Sequence, residues 1–279
     1  MGPGGGASAR RHDDTIFDMG FHKGEDTEFY LAKGFRVVSL EADPKLWAAG
    51  CERFAGAIAD GRLNLVNRAL VDSSQPSEIT FYQSTNSVWG TIDPLWAERN
   101  RRMGAESVAI TVKTTTMAGL LSEFGTPYFA KFDIEGMDMV GVEGLGDAEV
   151  RPAYISIESE KDSFKALRRE FTVMQGLGYD GFKVVPQSKV PVQRCPQPAR
   201  HGTYVDHRFA EGASGLFGEE APGAWLSAEA AIAVYKDIFF RYALVGDDPI
   251  APRWARSLAW RLGVRADWYD THAKLAGQA

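Results

Sequence analysis

The sequence predicts a Rossmann-like α/β fold, a mostly parallel sheet with helices on both faces. Three observations predict it. Runs rich in β-branched and aromatic residues alternate with helix-like stretches from residue 15 onward. The connections between these runs are short, as a layered α/β core requires. The first run turns into the first helix through a glycine-containing loop, Asp18-Met19-Gly20-Phe21-His22-Lys23-Gly24.

Residues 15–19 (TIFDM) form the first run. The helix expected over 25–33 has acids in its first turn, Lys33 in its last and Gly34 as its cap. A β-branched strand over 35–40 (FRVVSL) ends at Glu41. A helix over 44–58 follows, with Leu46, Trp47, Phe54 and Ile58 at its apolar positions, and then a strand over 63–71 (LNLVNRALV). Strands over 79–83 and 107–113 flank a loop and short helix over 84–102. A helix over 117–124 leads into a strand over 128–134 (YFAKFDI), which ends in Glu135-Gly136. A strand over 154–158, a helix over 164–177 and a strand over 182–186 close a core assigned to residues 13–186, after a flexible leader over 1–12.

Beyond residue 187 the texture changes. Residues 188–223 are rich in Pro, Gly and charge and too long for an ordinary connection, so a functional loop or lid is expected, with Ser214-Gly215-Leu216-Phe217-Gly218 as its mobile part. Helices over 226–244 and 253–262 and a tail at 268–272 complete a C-terminal extension over 187–279. Trp254, Trp260 and Trp268 are expected to pack rather than to form sugar platforms. Arg253, Arg256, Arg261 and Arg265 are expected to form a solvated face.

Bulk properties narrow the class. With 279 residues, 44% hydrophobic and 24% charged, the chain is an ordinary globular protein with room for one large domain or a core and an appendage. A net charge of -6 argues against sequence-independent binding to nucleic acid. Only Cys51 and Cys195 are present, which excludes a disulfide framework and a thiolate zinc cluster and suits reduced thiols in the cytoplasm. No apolar run approaches the roughly 20 residues of a membrane span, and no basic-then-apolar signal opens the chain. No metal, nucleic-acid or membrane partner is therefore expected; a homodimer remains compatible.

The loop at 18–24 is the strongest chemical signal. Glycine belongs where a strand turns sharply into a helix and the backbone passes close to a ligand. Neither a G-x-G-x-x-G phosphate loop nor a Walker lysine is present. Asp18 opens the loop instead, which suits a ligand bearing an amino group and a sulfonium better than a pyrophosphate. Glu41, at the end of the second strand, stands where a carboxylate can accept hydrogen bonds from both ribose hydroxyls. A tight turn beside a solvated glutamate is the plainer alternative.

Several blocks in order, IFDMGFHKGEDTEFYLAKGFRVVSLEADPKL, VNRALVD, TVKTTTMAGLLSEFG and YFAKFDIEGMDMVGVEGL, resemble the FkbM family of S-adenosylmethionine-dependent methyltransferases over residues 15–160. The resemblance implies a seven-stranded class I methyltransferase fold and S-adenosyl-L-methionine as cofactor. It assigns Asp18, Gly20 and Gly24 to the first cofactor motif and Glu41 to the ribose, with Asn67, Arg68 and Ala69 near the adenine. His22 and Lys23 depart from the family's commoner small-residue loop.

Asp133 ends a strand at the edge where open α/β sheets bind ligands. It is a candidate both for holding the methionine amine and for orienting the nucleophile. Glu135, two residues on, shares its face if the strand persists. Glu158 and Glu160 end the next strand, with Glu158 the better candidate for the acceptor pocket. His22 is a candidate base because only histidine titrates unperturbed near neutrality; His207 and His272 are weaker ones. Residues 84–93 (STNSVWGTID) suit a rim over the cofactor, and the extension over 187–279 with its tail is expected to cover the acceptor. The resemblance favours O-methylation of a hydroxyl on a small molecule, sugar or natural product. N-methylation of a peptide or amino-acid side chain, and a non-catalytic nucleotide-binding module, remain as alternatives.

Overall fold

A computed structural model describes residues 10–134, 136–160, 163–246, 252–264 and 266–278. The chain divides into two compact units, Met1–Ala153 and Tyr154–Ala279. The first contains β1 (Arg11–Met19), α1 (Glu25–Ala32), β2 (Arg36–Glu41), α2 (Pro44–Arg53), α3 (Ala55–Ala59), β3 (Leu63–Asn67), β4 (Ala69–Leu70) and β5 (Glu78–Ser84). It continues through a 3-10 turn at Ser87–Trp89, α4 (Pro94–Arg102), β6 (Ser107–Thr115), α5 (Met117–Phe124), β7 (Thr126–Phe132) and α6 (Asp138–Gly144). The second contains β8 (Tyr154–Glu158), α7 (Phe164–Gly176), β9 (Tyr179–Pro186), α8 (Ala228–Val245), α9 (Arg253–Arg261) and β10 (Tyr269–Leu275).

The main-sheet strands have the order β3-β2-β1-β7 in the first unit and β8-β10-β9 in the second. Within the first unit β1 is parallel to both β2 and β7, and β2 is parallel to β3. Of these, β1, β2 and β7 are buried on both faces, so they read as nearly continuous apolar runs rather than alternating ones. Ile16, Phe17, Met19, Val37, Phe129, Ala130 and Phe132 are all buried.

Local signals set the helix starts. Asp43 accepts a hydrogen bond from the Lys45 amide at 2.8 Å, with Pro44 at the first position of α2. The single helix predicted over 44–58 breaks at Phe54, which leaves helical geometry and sets its ring edge-on to Phe21 at 5.8 Å. The single strand predicted over 63–71 also divides. Arg68 separates β3, paired with β2, from β4, which joins β6 and β5 in a three-stranded sheet around Ala69, Phe81 and Val112. An unbroken apolar pattern does not record where a chain changes sheets. The leader expected over 1–12 is shorter than that among the described residues, since β1 already begins at Arg11.

The sequence closes the core at Pro186, but β10 takes a place between β8 and β9, antiparallel to both. Its pattern, YDTHAKL, hides the strand because Asp270, Thr271 and His272 are polar yet buried. The tail expected to cover an acceptor is thus a sheet strand from Tyr269 onward.

The lid expected within 188–223 is also corrected. Ala213, Ser214, Leu216, Phe217 and Gly218 are buried in the second unit. Gln193 Oε1 accepts the Leu216 amide at 2.8 Å, Lys183 Nζ donates to the carbonyls of Gly218 and Ala221, and the Glu219 amide donates to His201 Nε2 at 2.7 Å. The glycines serve close packing, not motion: a Cβ at Gly215 would meet Gln193 at 2.5 Å and one at Gly218 would meet His201. Trp254 and Trp260, expected to pack, are 73% and 56% exposed, because α9 buries only Ala259, and Trp268, beyond that helix, is 50% exposed. Among the described residues no helix is long and apolar enough to cross a membrane.

Candidate cofactor and active site

The loop after β1 is folded by its backbone. Gly20 and Phe21 both donate to the Leu40 carbonyl, at 3.2 and 3.0 Å, and Gly24 donates to Phe21 at 2.7 Å. Gly20 has φ of +101°, and a Cβ there would lie 2.9 Å from the Asp133 carbonyl carbon and closer still to its oxygen. What crowds Gly20 is therefore the end of β7. The close approach that the sequence predicts to a ligand is thus made to backbone. Gly24 has φ of +82° and starts α1 without a side-chain cap, so the amides there are left with Glu25, Asp26 and Glu28 to complement them.

Beneath the loop lies a buried polar network that the register builds. Asp18 pairs with Ser39 on one side and Lys131 on the other, so the three side chains share one face. Thr27 Oγ1 donates to Asp18 at 2.6 Å and lies 2.7 Å from Ser39 Oγ. Lys131 Nζ meets Asp18 at 3.3 Å, Asp26 at 3.1 Å, Asp133 at 3.3 Å and the Gly20 carbonyl at 3.4 Å. Burial pushes Asp18 up to about 6 against the pull of the ammonium. The carboxylates hold Lys131 well above the usual lysine range in spite of its burial, so it stays charged. Three carboxylates and one ammonium leave this cluster with a formal charge of -2. Asp133, with its side chain 44% exposed, is the member that opens outward.

Glu41 is buried at the end of β2. One oxygen accepts the His22 amide and the other the Asp43 amide, both at 2.8 Å, yet burial still lifts its carboxyl to about 7. Asn67, opposite Glu41 in the register, donates from Nδ2 to the Glu41 carbonyl at 2.8 Å and so ties the ends of β2 and β3. Ala69 is buried in β4. Arg68 is directed elsewhere: its guanidinium pairs with Glu123 at the end of α5, at 3.3 Å. His22, at φ of +50°, has Nε2 2.9 Å from Ser87 Oγ and Nδ1 3.4 Å from Glu25. Gln83 reaches Asp43 at 2.6 Å, so the 84–93 segment meets the loop region through Ser87 and its flank.

The structure thus brings together Asp18, Gly20, His22, Gly24, Glu41, Asn67 and Asp133 in the first unit, and Glu135 lies outside the described residues. Glu158 belongs to the second unit, half-buried opposite Asp270 of β10, where with Glu160 it helps burial raise Glu170 to about 8. His207 packs against Phe209, and His272 is buried in β10 with neither ring nitrogen hydrogen-bonded. Burial drives His272 down to about 3, so it does not serve as a base near neutrality. Glu25, Asp26, Thr27 and Lys131 join the site without being singled out by the sequence, whereas Ser87 lies in the rim expected over 84–93. Only Lys131 had a usable signal, since it stands two residues before Asp133 and so on the same strand face.

The Methyltransferase FkbM domain model matches residues 18–180, more than half of the chain, and spans the whole of this site. The chain belongs to the FkbM methyltransferase family. It is an S-adenosylmethionine-dependent methyltransferase. No curated protein matches the sequence. Among solved structures it is similar to StiE O-MT residues 961-1257, at 8% identity and a TM-score of 0.41, over 95% of this chain and 69% of that one. It is also similar to the O-methyltransferase from Bacillus cereus in complex with SAH, at 12% identity and 0.34, over 62% and 67%. A third is the SAH-bound Podospora anserina methyltransferase PaMTH1, at 15% identity and 0.28, over 56% and 49%. Family membership rests on the domain match. The residues of the FkbM site fit the cofactor: an acidic cluster open at Asp133 complements a sulfonium and an ammonium, and the loop carries neither a G-x-G-x-x-G run nor a Walker lysine.

Proposed function

We propose that this FkbM methyltransferase methylates a hydroxyl on a small molecule, sugar or natural product. In this reading the loop from Gly20 to Gly24 and Asp133 hold the methionine end of the cofactor, with Asp18 supporting them from beneath. Glu41 takes the ribose, with Asn67 fixing the strand end beneath it, and the adenine lies toward Ala69. The Arg68 side chain leans away from it, toward Glu123. Bound S-adenosylmethionine supplies an activated methyl group, so the protein's tasks are positioning and removal of the acceptor's proton.

One observation carries the hydroxyl assignment. His22 has a hydroxyl, that of Ser87, at hydrogen-bond distance from Nε2, and Glu25 on its Nδ1 side. An imidazole held in this way can take an O–H proton on Nε2 while Glu25 stabilises the charge at Nδ1. Soft nitrogen acceptors have no need of that arrangement. The test is a methyl-transfer screen over hydroxyl-bearing metabolites, read by product mass, with His22→Asn alongside. Asparagine tolerates the positive φ at this position. Turnover should fall by about 10²–10⁴ while cofactor affinity stays near that of the natural protein. Full turnover in His22→Asn would refute the assignment of the base.

A further inference from the structure

We propose that Lys131 is a positioning residue that acts through Asp133, locking that carboxylate and the Gly20 carbonyl of the cofactor loop to one fixed point. The inference rests on the reading of Asp133 as a contact to the methionine amine. Its basis is the geometry beneath the loop. Lys131 is rooted by Asp18 and Asp26, both fully enclosed, so its ammonium has no room to swing. Asp18 is itself fixed by Thr27, which also reaches Ser39, so the root extends across three adjacent strands.

An ammonium has three N–H groups, and Lys131 has four oxygen neighbours at 3.1–3.4 Å. The protons are shared, and each oxygen is held by its place relative to the others. Asp133 differs from the other carboxylates in facing outward. Without the ammonium, repulsion from Asp18 and Asp26 would turn Asp133 toward solvent, away from the Gly20 carbonyl. The lysine thereby joins the loop after β1 to the end of β7, the two segments that also touch where Gly20 meets the Asp133 backbone.

The plainer role for Lys131 is to balance buried charge, and a paired replacement separates the two. Lys131→Met with Asp26→Leu removes one positive and one negative charge, so the cluster keeps its formal charge of -2. Replacing a buried ion pair by apolar side chains is often neutral for stability. Calorimetry with S-adenosylmethionine compares the natural protein, Asp133→Asn, the paired variant and the triple variant, each checked for cooperative unfolding.

The paired variant and Asp133→Asn should each bind about tenfold more weakly, and the triple variant no more weakly than Asp133→Asn, because the lysine acts through that carboxylate. Unchanged affinity in the paired variant, or losses that multiply to about a hundredfold in the triple, would overturn the proposal. Normal binding by Asp133→Asn would instead show that the reading of Asp133 as a cofactor contact is wrong, and the inference would go with it. If the paired variant does not fold, Lys131→Arg, which keeps the charge but shifts it, takes its place in the same cycle with the same criteria.

Discussion

Gly20→Ala is the sharpest perturbation of the loop, and the structure supplies both parts of its cost. The residue sits at φ of +101°, where an L side chain costs about 1–2 kcal/mol. The new Cβ would also lie 2.9 Å from the Asp133 carbonyl carbon and overlap its oxygen. Because that neighbour is backbone, relief requires the ends of β1 and β7 to separate, which as overpacking costs a further 1–3 kcal/mol or so. Gly61→Ala is the control, since Gly61 also has positive φ, +67°, but nothing lies within 4 Å of its Cβ position. Urea unfolding of the two variants isolates the contact: Gly20→Ala should be the less stable by about 1–3 kcal/mol. Gly24→Ala should fall between them, because its Cβ would meet the rings of Phe21 and Phe54, which can shift. Equal stability of Gly20→Ala and Gly61→Ala would refute the argument. By the same contact Gly20→Val should destabilise the fold itself rather than cost cofactor binding alone.

Glu41 should make cofactor affinity depend on pH. Its carboxyl is raised to about 7 in the fold, and the ionised form is the better acceptor for ribose hydroxyls, so affinity should rise as pH climbs through about 7 and level off above. The sign for folding is opposite: a raised carboxyl contributes full stability below its ordinary 4.5 and loses it as pH rises through about 7. Glu41→Gln should flatten both profiles in calorimetry and thermal unfolding, and Glu41→Ala should weaken binding by about 1–3 kcal/mol; a pH-independent affinity in the natural protein speaks against the ribose role. Phe217→Ala should destabilise the chain by about 3–5 kcal/mol, since the side chain is fully buried in a pinned segment. A loss below 1 kcal/mol or so in urea unfolding would restore the mobile-lid view of 213–218.

What could be read from the sequence was what depends on local pattern. Asp18, Gly20, Gly24 and Glu41 stand out because a strand, a glycine turn and a helix follow in fixed order, and strand ends are where such sheets bind ligands. Asp133 stands out for the same reason. What escaped depends on partners distant in sequence. Lys131 looks like one more residue of a buried strand until Asp18 and Asp26 are set beside it. Ser87 lies in an insertion, and its hydrogen bond to His22 has no trace in spacing. Arg68, placed near the adenine by family pattern, instead has its guanidinium 3.3 Å from Glu123, a contact that spacing does not show. β10 was hidden because its buried face is polar, at Asp270 and His272, so apolar alternation never marked it as a strand.

The central claim is a methyl group delivered to oxygen from the site formed by Asp18, Gly20, Glu41 and Asp133. The direct measurement uses S-adenosylmethionine carrying an isotopically labelled methyl group, with pooled hydroxyl- and amine-bearing acceptors, and reads the product by mass and by the carbon shift of the new methyl. The account predicts label on an ether or ester oxygen, greatly reduced in both His22→Asn and Asp133→Asn. Label found only on nitrogen, or cofactor binding with no transfer to any acceptor, would contradict it.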